Sequence, residues 1–87
     1  MVDVLKLKAL DDWKLWLRFS DGCEGEYDLK AYVHSGGEMV EPLNDSAYFA
    51  RAFVEMGAPT WPNGFDIDPI NAYLTMRDAG LLRRAAA

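Results

Sequence analysis

The chain has 87 residues and a net charge of −5, with 51% hydrophobic and 26% charged side chains. This composition is that of an ordinary globular domain and excludes a disordered segment. At this length folding buries roughly 64% of the extended surface, enough for one modest core. The single cysteine, Cys23, excludes an internal disulfide, and no apolar run approaches the ~18 residues of a transmembrane helix. Met1-Val2-Asp3-Val4 lacks the basic and apolar regions of a signal peptide, so a reducing cytoplasm is the expected setting.

Leu5, Leu7 and Ala9 alternate with Lys6 and Lys8, the pattern of a half-buried strand with the odd residues inward. Asp11-Asp12 makes a turn. Trp13, Leu15, Leu17 and Phe19 then continue the apolar face, while Lys14, Trp16 and Arg18 point outward. Ser20-Asp21-Gly22 turns the chain into a third strand, with Cys23, Gly25, Tyr27 and Leu29 inward and Glu24, Glu26 and Asp28 outward. The result is an antiparallel meander whose outer face sets cations on two strands beside carboxylates on the third.

Leu29-Lys30-Ala31-Tyr32-Val33 reads as a short helical turn, Ser35-Gly36-Gly37 as a break, and Met39 to Leu43 as extended chain. Asn44 or Asp45 caps a helix in which Tyr48, Phe49, Ala52 and Phe53 fall at helical spacing. Phe53-Val54 suits helix or strand, and Gly57 ends the element in either case. Ala58 to Trp61 forms a short strand, restricted by Pro59 to an edge or a bulge.

In Trp61-Pro62-Asn63-Gly64-Phe65-Asp66-Ile67-Asp68-Pro69, Pro62 presets φ for a turn and Asn63-Gly64 tolerates positive φ. Asp68 before Pro69 is an N-cap followed by proline at the first helical position. The block is a strand-turn-helix joint, with Trp61 buried under the last helix. That helix runs from Pro69 to Ala79 with Ile70, Tyr73, Leu74 and Arg77 along one stripe, and Gly80 stops it. Residues 81–87 form a tail that extends the helix or frays, after a single domain over residues 1–80. The fold class is α+β, an antiparallel meander packed against two short helices.

The same joint, with the hairpin Trp13 to Gly22 and Glu41-Pro42-Leu43, resembles the bacterial family catalogued as domain of unknown function 2442, over residues 4 to 75. Members are often associated with small putative toxins, so the resemblance implies the antitoxin-like half of a toxin–antitoxin pair.

Residues 1–20 carry Lys6, Lys8, Lys14 and Arg18 against Asp3, Asp11 and Asp12, a balance of +1. Residues 21–45 carry Asp21, Glu24, Glu26, Asp28, Glu38, Glu41 and Asp45 against Lys30, a balance of −6. Beyond residue 45 the charges cancel. Such a field repels nucleic acid and attracts basic protein surfaces if the carboxylates cluster. The expected activity is therefore non-catalytic. An acidic module would bind a basic, nucleic-acid-handling protein through Glu24, Glu26, Asp28, Glu38, Glu41, Asp45 and the outward Trp16. The partner would be a toxin or, for a phage inhibitor of anti-CRISPR type, a CRISPR effector. No direct nucleic-acid or membrane binding and no cofactor or metal is expected, and a second copy of the chain is a further candidate partner.

The alternatives rest on other residues. Lys6, Lys8, Lys14 and Arg18 around Trp16 suit a nucleic-acid-associated transcriptional regulator. Asp66 and Asp68 beside Asn63 suit a hard cation in a small metal-dependent enzyme, against their simpler roles in turn and cap. Cys23 and His34 form the only obvious nucleophile–base pair, and they are more simply a small inward residue and a loop residue.

Overall fold

The computed structural model describes residues 2–86; Met1 and Ala87, the ends of the predicted domain and tail, lie outside it. Strands β1 (Val4–Leu10), β2 (Lys14–Phe19) and β3 (Cys23–Asp28) form the predicted antiparallel meander. Its core face carries Leu15, Leu17 and Phe19, all fully buried. Over this face lie the four-residue helix α1 (Lys30–Val33), a 3₁₀ turn (Glu41–Asn44) and α2 (Ser46–Phe49), contributing Val33, Leu43 and Phe49 to one cluster. Helix α3 (Pro69–Asp78) adds Ala72 and Met76. The α+β class is as predicted. Among the described residues no helix is long and apolar enough to cross a membrane.

The alternation read for the first strand holds only in part. Val4 is paired with Phe19 and Lys6 with Arg18, so Leu5 is an extra residue in a β-bulge and is 58% exposed. The entry to β1 is anchored on two sides, by Val4 N–H to the Gly57 carbonyl and by Ser20 N–H to the Asp3 carbonyl, both at 2.8 Å. Val4 thereby takes the buried place, and the bulge resets the alternation so that Leu7 and Ala9 still turn inward.

Met39 to Leu43 is not extended. Glu41–Asn44 coils into the 3₁₀ turn, with Pro42 in its first turn where a missing N–H costs nothing. Asp45 is the cap of the next helix: its carboxylate accepts from Ala47 N–H at 3.0 Å. That helix ends at Phe49, and Phe53–Glu55 becomes β4, hairpinned to β5 (Ala58–Thr60). Gly57 is thus the glycine of a two-residue hairpin turn and not a helix stop. Met56 and Gly57 have φ of 50° and 80°, the double positive φ of a type I′ turn.

The strand, turn and helix start of the joint after β5 are as the sequence predicts, and Trp61 is buried as expected, though its ring contacts are with Phe49 and Phe65. The Trp61 ring is fully buried between Phe49 and Phe65, and its Nε1–H donates to the Phe49 carbonyl at 2.9 Å. Asn63 Oδ1 accepts from Phe65 N–H, and its Nδ2 reaches the Met39 carbonyl. Asp68 accepts from Ile70 N–H at 3.0 Å as the N-cap of α3.

Two features at the C-terminal end depart from expectation. The buried side of α3 is Ala72 and Met76, whereas Leu74 and Arg77 are exposed. Gly25 explains the choice, because a Cβ there would stand 3.0 Å from Met76 Cε, so the missing side chain on β3 is the slot into which Met76 packs. The tail neither prolongs α3 nor frays at its start: Arg83–Arg84 form β6 beside β3, giving the sheet order β1-β2-β3-β6.

Candidate protein-binding face

The outer face of the meander is striped by charge because its strands are in register. Lys6 lies opposite Arg18, and Lys8 opposite Trp16. On the other side of β2, Arg18 lies opposite Glu24, Trp16 opposite Glu26, and Lys14 opposite Asp28. A basic two-strand band thus borders an acidic strand, with the half-buried Trp16 at the boundary and the Arg18 guanidinium 5.8 Å from its ring centroid.

The three β3 carboxylates are not equivalent. Glu24 is clamped: Oε1 accepts from Arg18 at 2.9 Å and Oε2 from Arg83 at 3.1 Å, leaving 12% of the side chain exposed. The hydrogen bond from Arg83, then that from Arg18, holds its carboxyl below the usual carboxylate range. Asp28 turns back to accept from Lys30 N–H at 2.9 Å, at the start of α1. Glu26 is exposed on the open side of the strand and lines two adjoining depressions of about 330 and 200 Å³. Trp16 and Arg83 border the first, Lys14 and Asp28 the second, and Leu81 both.

The other three predicted carboxylates leave from a different side. Glu38 and Glu41 belong to the segment over the core face, and Asp45 is the cap of α2 in the same segment, whereas Glu24, Glu26 and Asp28 project from the opposite face of the sheet. The acidic quarter of the sequence therefore folds into two groups separated by the sheet. Of the predicted set, Trp16, Glu24, Glu26 and Asp28 are brought together.

The residues considered for chemistry are placed as structural parts. His34 packs edge-on against Trp13, ring centroids 4.8 Å apart, at the β1–β2 turn, while Cys23 opens β3 beyond the far end of β2. The six residues of β2 separate them by about 20 Å, so they do not form a dyad. Asp68 is engaged as the α3 cap, and among the described residues no three His, Cys, Asp or Glu side chains converge on a common point.

Two contacts near these residues were not legible in the chain. Trp13 sits at φ 58°, held by its Nε1–H to the Leu43 carbonyl at 2.8 Å. The Tyr73 hydroxyl donates to Asp21 Oδ2 at 2.6 Å, tying α3 to the β2–β3 turn. Burial works to raise the Asp21 carboxyl, but hydrogen bonds from Tyr73 and the Cys23 amide outweigh it and hold it below the usual range. The bond to Asp21 pushes the Tyr73 phenol up to about 12.

Residues 4–73 match the family described as protein of unknown function (DUF2442). The chain belongs to that family. No curated protein and no solved structure matches it. The DUF2442 span takes in β1 to β5 and the first half of α3, and thus the meander, the charge-striped face and the Trp61 joint. Arg83, which clamps Glu24 from β6, lies beyond that span.

Proposed function

We propose that this chain is a non-catalytic, acidic protein-binding module of the cytoplasm. It neutralises a partner whose basic surface handles nucleic acid, in the manner of an antitoxin or of a phage inhibitor of a CRISPR effector. The observation that carries this reading is the position of Glu26, exposed beside Trp16 on an acidic strand with open depressions on its free side. An aromatic ring next to an unclamped carboxylate supplies contact area and orientation for a lysine or arginine of the partner. Glu24, already held by two arginines, shapes this face without being free to bind, and Asp28 adds field beside its bond from Lys30 N–H.

The register of the basic band favours a second reading, a nucleic-acid-associated regulator. Lys6, Lys8 and Lys14 surround Trp16 on one face, as a stacking platform with flanking cations would require. Net charge opposes it, and Arg18 is committed to Glu24.

One pair of variants separates the readings. The partner recovered on the immobilised protein is measured for association rate against wild type, Glu26→Lys and Lys14→Glu, and the same three proteins are titrated with short DNA at about 0.15 M salt. Slower association with Glu26→Lys at unchanged melting temperature, with no DNA binding, is the expected result. DNA binding lost on Lys14→Glu favours the regulator, and an association rate indifferent to Glu26→Lys overturns the acidic-module reading.

A further inference from the structure

Strand β3 is only half covered on its outer edge. Strand β6 pairs with Cys23 and Glu24, and the Ala85 N–H donates to the Gly22 carbonyl at 2.9 Å. In an antiparallel ladder, alternate residues turn their N–H and C=O groups to the same neighbour, so Glu24 and Glu26 both direct theirs to the β6 side. Ahead of β6 the chain runs beside this edge, where Leu81 and Leu82 border the Glu26 depression, but it makes no ladder pair with it. Leu81 closes the end of α3 through its N–H to the Met76 carbonyl, and its own carbonyl oxygen sits over Gly25. Among the described residues the Glu26–Asp28 stretch of β3 therefore has no strand on that side.

We propose that this stretch accepts an added β-strand, an extended segment of a partner protein carrying lysine or arginine at every second position. Strand β6 already shows the mode within the chain: Arg83 lies opposite Glu24 in the ladder and donates to its carboxylate at 3.1 Å. The next carboxylate on the same face, Glu26, repeats the arrangement one pair further along without an arginine opposite it in the ladder. Leu81, 48% exposed, lines both depressions beside Glu26 and offers apolar contact to the residues that would alternate with the cations.

Charge also selects against a second copy of this chain as the added strand. A two-fold antiparallel pairing centred on Glu26 would set Glu26 against Glu26 and Glu24 against Asp28, and like charges directly opposite are destabilising.

This mode presupposes the basic partner proposed above, so the test uses probes that separate strand addition from charge attraction. The full chain is titrated with a short alternating Lys-Val peptide and with the same peptide N-methylated on its lysine backbone nitrogens, which keeps every charge and removes the donors that would face Glu26. Backbone amide exchange is followed by NMR. The expected result is salt-dependent binding of the first peptide alone, about tenfold slower exchange of the Glu26 N–H, and loss of both effects in Glu26→Lys.

Equal binding of the two peptides with no protection at Glu26 overturns strand addition and leaves the acidic-module reading standing. Failure of the first peptide to bind overturns strand addition, and the partner's association rate with Glu26→Lys then decides the wider reading. Protection of the Glu26 N–H without peptide, accompanied by a dimer in sedimentation, overturns the proposed occupant in favour of a second copy.

Discussion

The Arg83 guanidinium donates to Glu24 Oε2 at 3.1 Å, joining residues 59 positions apart. With Arg18 on the other carboxylate oxygen, it makes Glu24 the link between the meander and the last strand. Both arginines hold the folded carboxyl below its ordinary value near 4.5. A depressed carboxyl stabilises the fold fully above its unfolded value and loses that contribution as pH falls through the folded one. The wild type should therefore lose stability more steeply than Glu24→Gln as pH falls below about 4.5, as denaturant midpoints across the acid range would register. Identical acid slopes would mean that the clamp adds nothing in solution.

The Tyr73–Asp21 bond predicts the opposite behaviour at high pH. The folded phenol is raised to about 12 from an ordinary 10.0, so the stability it contributes is complete below pH 10 and is lost as pH rises toward 12. Burial also raises the Tyr27 phenol, so tyrosinate absorbance should show more than one late-titrating residue in the native protein, and Tyr73→Phe should lose the component near 12 while keeping that of Tyr27. That variant should also lack the corresponding fall in melting temperature.

Trp61→Ala should destabilise the domain by about 3–5 kcal/mol, the range for deleting a large buried aromatic. It also strands the Phe49 carbonyl that accepts from the indole. Asp68→Ala, which removes only the bond to Ile70 N–H, should cost about 1 kcal/mol. A Trp61→Ala denaturant midpoint equal to that of wild type would contradict the burial.

Gly25→Ala should be far more costly than a surface glycine change, because the Leu81 carbonyl oxygen occupies the place its Cβ needs and Met76 Cε stands 3.0 Å away. A loss of about 1–3 kcal/mol is expected, with faster exchange of the Ala85 N–H as the C-terminal segment is pushed off β3. Gly36→Ala, at φ 89° with open space around the added methyl, isolates left-handed backbone strain, a cost that Gly25 does not carry.

Local chemistry determined much of this protein from sequence alone. Apolar alternation in β2, the Gly22 turn, the Asp68-Pro69 helix start and the buried Trp61 all follow from residues within a few positions of one another, and all are found in the fold. The unequal charge of the chain was equally legible, because it needs only counting. What the sequence left open was every choice made by a distant neighbour. Leu5 yields its buried place to Val4 because the Gly57 carbonyl and the β2–β3 turn hold that end of β1. Phe53-Val54-Glu55, which suits helix or strand, is found as strand where the Val4 N–H, more than fifty residues away, holds the Gly57 carbonyl of the hairpin turn. Helix α3 buries Met76 because Gly25, about fifty residues earlier, leaves a slot. The acidic quarter divides between two sides of the sheet for the same reason: a strand carries three of its carboxylates outward, while the segment over the core carries the others. Periodicity states which residues can share a face, but the tertiary contacts decide which face is covered and by what.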